Sequence, residues 1–205
     1  MPEFEIIELP QKYTSVSPVE YQYFNQLFNH RTIIMNEDIC ENIVESFYVP
    51  LRDFEMDNSD EPITVIFNCS GGSVSDGFFV ANYLTKFKKK LKIIVTGYAA
   101  SMAAVLLAAG GKNDNITRYC YPSTYLLLHD GYVALQTSEA KTAADFMTHN
   151  NTVDGEIRQF FIDNTNIGPE LYDSMTRRQW FIDANKAKEL NLVDKIIGVD
   201  CDNDY

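Results

Sequence analysis

Residues 91–111 read LKIIVTGYAASMAAVLLAAGG, in which Ile93 to Gly111 is an almost continuous apolar run interrupted by Thr96, Gly97, Tyr98 and Ser101. An uninterrupted run of about 20 such residues would be long enough to span a bilayer. The interruptions divide residues 91–111 instead into a buried strand, Leu91 to Thr96, a turn at Gly97 to Ala100, and an Ala-rich buried helix, Ser101 to Ala109. Ser101 then lies where a strand and tight turn meet an apolar helix, among the small side chains of Ala99, Ala100, Ala103 and Ala104. Small neighbours let a carbonyl approach the hydroxyl, and the unpaired N–H groups at a helix start can stabilise a developing oxyanion. A serine there is also a common helix cap, so its position alone decides nothing.

On the N-terminal side, Ile63 to Asn68 reads as a buried strand, followed by the turn Ser70-Gly71-Gly72-Ser73 and a helix with Phe79, Tyr83 and Phe87 on one face. Further back, Ile33 to Met35 predicts a short strand. Asn36 then caps a helix carrying Ile39, Ile43 and Phe47 at i, i+4 and i+8, which Pro50 ends or kinks. On the C-terminal side, Tyr125 to Leu128 predicts a third strand, ending at His129. Strands alternating with helices at this spacing indicate an α/β fold with a mainly parallel sheet. Ligands bind such sheets outside the C-terminal strand ends, where Gly71-Gly72, Ser101 and His129 all fall. Glycine allows a backbone amide to point into a cleft, and histidine suits a general base because its ordinary pKa lies near neutrality. Of the other two histidines, His30 and His149 lie in segments less suited to reaching this edge. Neither GxGxxG nor GxxxxGK[ST] is present, so the Gly-Gly turn is not read as a nucleotide loop.

The rest of the chain sets bounds. With 205 residues and 45% hydrophobic content, it suits one domain with one core. A formal net charge of −12 opposes sequence-independent binding to nucleic acid. The cluster Lys86, Lys88, Lys89 and Lys90 reads as a solvated helix end. Cys40, Cys69, Cys120 and Cys201 lack metal-ligand spacing and suggest neither zinc nor a disulfide framework. Residues 1–18, with Pro2, Pro10 and Pro18, read as an N-terminal arm preceding a domain at 19–205. They lack the basic start and apolar stretch of a signal peptide, so a reducing cytoplasm is expected, with no membrane span. Residues 56–61 predict a surface loop. Thr137 to about residue 163 carries Phe146, Val153, Ile157 and Phe160 near helical spacing among polar residues, predicting a long projecting helix whose apolar stripe needs a partner. Gly168-Pro169 starts a short helix, Asp183 caps another that Asn191 closes, and a last strand lies around Val193 to Ile197.

Together these residues resemble the proteolytic subunit of the Clp protease. Asn68-Cys69-Ser70-Gly71-Gly72-Ser73-Val74 looks like its Asn-Ser-Pro-Gly-Gly motif, Gly97-Tyr98-Ala99-Ala100-Ser101-Met102-Ala103 like its nucleophile motif, and Leu128-His129 like its Met-Ile-His motif. The spacing from the Gly-Gly turn to the serine matches without insertion, and the likeness extends from about Tyr21 to Ile197. The resemblance implies a ClpP/crotonase-like fold of stacked, mainly parallel sheet turns with flanking helices and a projecting handle at about 137–163. It implies a serine endopeptidase with Ser101 as nucleophile, His129 as base, and an oxyanion hole from the N–H groups of Gly72 and Met102. Substrate peptide would lie extended along Gly71, Ser73 and Val74 and beside Asp130, by strand addition. The implied partners are further copies of the chain, in heptameric rings stacked as a tetradecamer, and a separate AAA+ unfoldase that consumes ATP and feeds unfolded polypeptide. The resemblance implies no cofactor and no metal for the chain itself. A phage or organelle origin would place it in host cytoplasm, stroma or matrix.

Three positions depart from the family pattern. Cys69 stands for serine, Ser70 for proline, and Gln179 for the triad aspartate. A carboxylate orients the imidazole and stabilises imidazolium, which a neutral amide does less well. Gln179 could still accept from the ring N–H through its carbonyl, and Asp183, Asp173 or Asp130 could substitute. The departure leaves open a catalytically weak or inactive subunit with a structural or docking role. A crotonase-like acyl-CoA site and a Ser/Lys peptidase are more distant readings: the first lacks an evident basic patch, the second would leave His129 unexplained.

Overall fold

The computed structural model describes residues 27, 29–129, 140–176 and 178–202. In chain order its strands are β1 Thr32–Met35, β2 Ile63–Cys69, β3 Leu91–Ala100, β4 Ile116–Cys120, β5 Tyr125–Leu128, β6 Trp180–Asp183 and β7 Lys195–Ile196. The helices are α1 Val49–Met56, α2 Val74–Leu84, α3 Met102–Ala109, α4 Ala140–Asn164, α5 Pro169–Met175 and α6 Ala184–Glu189. The sheet runs β1-β2-β3-β4-β7, with β5 and then β6 branching from β3. Every pairing is parallel except β5 with β6, so the expected α/β architecture with a mainly parallel sheet and flanking helices holds.

The branch follows from the length of β3. Its first half, Leu91 to Val95, lies between β2 and β4, and its second half, Tyr98 to Ala100, pairs with β5. Between the halves the register with β2 shifts, Phe67 facing Val95 but Cys69 facing Ala99. Such a bulge leaves a backbone donor unpaired and bends the strand. The Asn68 carboxamide repairs it, accepting from the Tyr98 N–H at 3.2 Å and donating to Asn36 Oδ1 at 2.7 Å. Gly97 to Ala100, expected as a turn, is therefore strand, because β5 supplies pairing partners the local sequence does not reveal.

Every residue of α3 is buried, which accounts for its uniformly apolar sequence, and no helix among the described residues is long and apolar enough to cross a membrane. The helix expected from an Asn36 cap does not begin there. Ile39 is buried as expected, but its backbone bridges Gly72, its N–H donating to Gly71 O and its carbonyl accepting from Ser73 N, each at 2.7 Å. Pro50 does not end the next helix either. It sits in the first turn of α1, behind a π-helical turn at Val44–Tyr48 that absorbs the imino acid's missing donor. The buried face of α2 is Gly77, Val80, Ala81 and Leu84. Phe79, Tyr83 and Phe87 instead build an aromatic edge with Tyr48, and Phe79 is 46% exposed.

Strand β4 had no counterpart in the sequence reading. Arg118, at its centre, is fully buried, with its guanidinium paired to both Asp194 oxygens at 2.7 and 3.0 Å and bonded to the Leu107 and Asn191 carbonyls. A buried charge is tolerated only when so completely partnered, and the cluster ties β4 to α3 and to the segment before β7. Gly168 caps α5 and Asp183 caps α6, as expected, the latter through its carboxylate and Lys186 N at 2.8 Å. Of the long helix expected from Thr137, residues 140–164 are described, and 137–139 lie outside the described residues, as does the arm at 1–18.

Candidate active site

Ser101 joins β3 to α3 with φ 55° and ψ −126°, a left-handed conformation that costs a non-glycine residue about 1–3 kcal/mol. The backbone around it fixes the geometry: Ser101 N donates to Leu127 O at 2.8 Å, and its carbonyl accepts from Ala104 N at 3.0 Å. Its hydroxyl makes no capping bond, so the helix-cap explanation for this serine fails. A strained strand-to-helix turn that presents a free serine hydroxyl is the arrangement of a nucleophile elbow.

The Gly-Gly turn packs against this elbow. Gly71 has φ +96°, and a Cβ there would stand 2.6 Å from Ala100 O, 2.7 Å from Ser101 Cβ and 3.0 Å from Met102 N. Gly72 has φ +144°, and a Cβ there would run into the Ile39 backbone. Only glycine satisfies both the backbone conformation and the close approach. Neither Gly72 N nor Met102 N donates a hydrogen bond to a described residue, so two unengaged amides flank the serine. Ser73 caps α2 through its hydroxyl, accepting from Asp76 N at 3.4 Å, and its own N–H is committed to Ile39 O. Behind the turn, Cys69 Sγ accepts from Gly71 N at 3.4 Å, and burial pushes this thiol above its ordinary range. Burial likewise holds Cys120 at about 11. Among the described residues no group of His, Cys, Asp and Glu could hold a metal ion.

His129 follows β5 directly and is half-buried. It lines the same cavity as Ser101, together with Val74 and Met102, while Val105, Leu128, Ile157, Phe161 and Tyr172 make the rest of the lining. No hydrogen bond joins Ser101 to His129 among the described residues; catalytic bonds are often long before substrate tightens them. Gln179 lines a different cavity, with Ser174, Met175, Arg178, Trp180 and Phe181. Its side chain is exposed and makes no hydrogen bond to a described residue. The ladder nevertheless brings it near the base in register. Leu128 pairs with Trp180, so one step further along these antiparallel strands sets His129 opposite Gln179. The other acids named as substitutes are engaged elsewhere: Asp183 caps α6, and Asp173 takes a bidentate pair from Arg158 at 2.6 and 2.8 Å. Asp130 lies outside the described residues.

The roles of three contributors escaped the sequence reading, which quoted Asn68 only as part of a motif. Asn68 holds the bulge before the elbow, and Phe161 and Tyr172 close the cavity. Phe161 carried a signal, lying four residues after Ile157 on a helix face; Tyr172, in a short helix, carried none.

A strained serine elbow, a histidine in the same cavity and unengaged amides beside them, at the C-terminal edge of a parallel sheet, define the serine-hydrolase class of α/β protein. Within that class the description is narrower: the family model for Clp protease matches residues 15–200. The chain belongs to the Clp protease family, a family of serine peptidases.

Proposed function

We propose that this protein is a serine endopeptidase acting through Ser101 and His129, the proteolytic subunit of an ATP-dependent Clp-type protease. The observation that carries this reading is the shared cavity of Ser101 and His129 beside a strained elbow whose hydroxyl caps nothing. In this reading the imidazole takes the Ser101 proton as Oγ bonds to the scissile carbonyl carbon. The oxyanion is received by the Gly72 and Met102 N–H groups. The imidazole then protonates the departing amine as the peptide C–N bond breaks, and water hydrolyses the acyl-enzyme by the same route in reverse. Gln179 contributes no charge to the imidazolium in either step, so turnover is slow for the class.

The surrounding assembly belongs to the same proposal. Helix α4 presents Phe146 and Met147, 40% and 44% exposed, which supports its use as a handle between two heptameric rings. A separate AAA+ unfoldase would use ATP and deliver unfolded polypeptide, leaving this chain without a cofactor of its own, and a cytoplasmic setting suits that partnership. The test is fluorophosphonate labelling of wild type beside Ser101→Ala, with native mass measured on the same samples. Stoichiometric labelling that the substitution removes, on a ring-sized particle, is the expected result.

A second reading, a ring subunit without catalysis, is favoured by one observation: Gln179 stands at the aspartate position with no bond to His129. Failure of Ser101 to label in a correctly assembled particle would establish it.

A further inference from the structure

The Gly-Gly turn is held from one side by the chain that follows β1. Strands β1 and β2 pair in register, from Thr32 with Thr64 to Met35 with Phe67. Past the strand ends the same 32-residue offset continues through side chains: the Asn68 amide donates to Asn36 Oδ1, and the Ser70 hydroxyl donates to Asp38 Oδ1. The next contact is made by backbone and is shifted by one, Ile39 bridging Gly72. The extra residue is Gly71, whose φ of +96° accommodates the slip. This slip decides where the Gly72 N–H points. Ile39 N donates to Gly71 O at 2.7 Å, and in a planar trans peptide the N–H lies opposite the C=O, so the Gly72 N–H is aimed away from Ile39. With glycine on both sides, that peptide plane can rotate at little steric cost, turning the N–H out of the site while every strand stays folded. Asp38 precedes Ile39 and Ser70 precedes Gly71, so their side-chain bond fixes the two backbone groups that hold the plane. Both side chains are exposed, and the core does not depend on them.

We infer that Asp38 is a positioning residue of the oxyanion hole: through the Ser70 hydroxyl it keeps the register slip at Gly71 and the Gly72 N–H turned toward the developing oxyanion. The inference rests on the peptidase reading above and adds to it a residue outside the cavity that Ser101 and His129 share. A hydrogen bond to a charged acceptor, at the lower end of its range because this one is exposed, is worth about tenfold.

The test uses the full-length protein and a short alkyl fluorophosphonate. Labelling of Ser101 is followed by intact mass over a range of probe concentrations, so that the limiting rate and the half-saturating concentration are read separately. Asp38→Ala and Ser70→Ala are each expected to lower the limiting rate about tenfold. The half-saturating concentration should stay within about twofold of wild type and the melting temperature within about 3 °C. Combined, the two substitutions are expected to cost no more than either alone, as coupling through one bond requires. Two variants should recover the rate to within about threefold of wild type. Asp38→Asn keeps an acceptor in place, and Ser70→Pro, added to Asp38→Ala, restricts φ without a hydroxyl. An unchanged limiting rate in either alanine variant, multiplied losses in the double variant, no recovery in either rescue, or an alanine variant that does not fold overturns the inference and leaves the peptidase reading standing. Wild type that fails to label at Ser101 removes the peptidase reading and this inference together.

Discussion

The two halves of the candidate site are built differently. On the nucleophile side, Gly71, Gly72, Ser101 and Met102 are locked by backbone bonds, positive φ angles and van der Waals gaps that admit no extra atom. On the base side, His129 and Gln179 stand at the open end of a short antiparallel ladder, one residue past its last pair, and no hydrogen bond joins them. The first half is over-determined by the fold. The second depends on side chains that nothing in the core constrains. A change at Gln179 leaves packing intact, whereas almost any change at Gly71 cannot, and the one departure from the triad pattern falls on the tolerant side.

Gly71→Ala is the strongest way to break this contrast. The new methyl would need to displace Ala100 O or Ser101 Cβ, at 2.6 and 2.7 Å, and would adopt φ +96°. Misplacing one oxyanion donor costs about 10²- to 10³-fold in rate. Fluorophosphonate labelling of Ser101 is expected to fall by at least that lower factor, with a lower melting temperature. Labelling within threefold of wild type, roughly 0.7 kcal/mol on the barrier, would mean that the locked half is not locked.

Next in size is Gln179→Asp, expected to raise peptide turnover. Exchanging the triad carboxylate for an amide elsewhere costs about 10⁴ in kcat, and the reverse exchange at an exposed ladder end is expected to recover about 10- to 100-fold. Gln179→Ala is expected to stay within a few-fold of wild type, because the side chain makes no hydrogen bond to a described residue. Loss of activity in the alanine variant would show that the carbonyl already holds the imidazole. No gain in the aspartate variant would show that position 179 is not what limits the rate.

How much of this was legible in the sequence follows the same division. Ser101, the Gly-Gly turn and His129 were readable because each adjoins a strand dense in apolar residues: Leu91 to Val95 interrupted only by Lys92, Ile63 to Phe67 interrupted only by Thr64, and Tyr125 to Leu128. Strands β4 and β6 were not. In β4 the buried centre is an arginine, so the pattern looks exposed until Asp194, far along the chain, supplies the charge that permits burial. In β6 the outward residue is Phe181, 60% exposed, and the inward ones are Trp180 and Ile182; an apolar residue on both faces hides the two-residue period. Missing β6 concealed the register that sets Gln179 opposite His129. Ile39 misled in the opposite direction: its spacing to Ile43 and Phe47 is helical and all three are buried, yet its backbone is used to brace Gly72.

A smaller effect tests the frame under the locked half. Strands β1, β2 and β3 reach the site from ends that Asp57 gathers, its carboxylate bound by Lys89 at 2.8 Å and by Arg31. The Lys89 hydrogen bond foremost, with Arg31 adding to it, lowers its pKa to about 2. Since an ordinary aspartate titrates near 3.9, the folded pKa is depressed. The stabilisation is therefore complete above the unfolded value and lost as pH falls through about 2. Side-chain exposure of 35% leaves solvent screening strong, which limits the contribution to about 1 kcal/mol or less. Asp57→Asn is accordingly expected to lower the melting temperature by a few degrees at pH 7. At pH 3 the gap from wild type should be about half as large, because the folded carboxylate is still ionised there and the unfolded one mostly is not. A gap that widens on acidification would reverse the sign of the linkage and detach Asp57 from the frame.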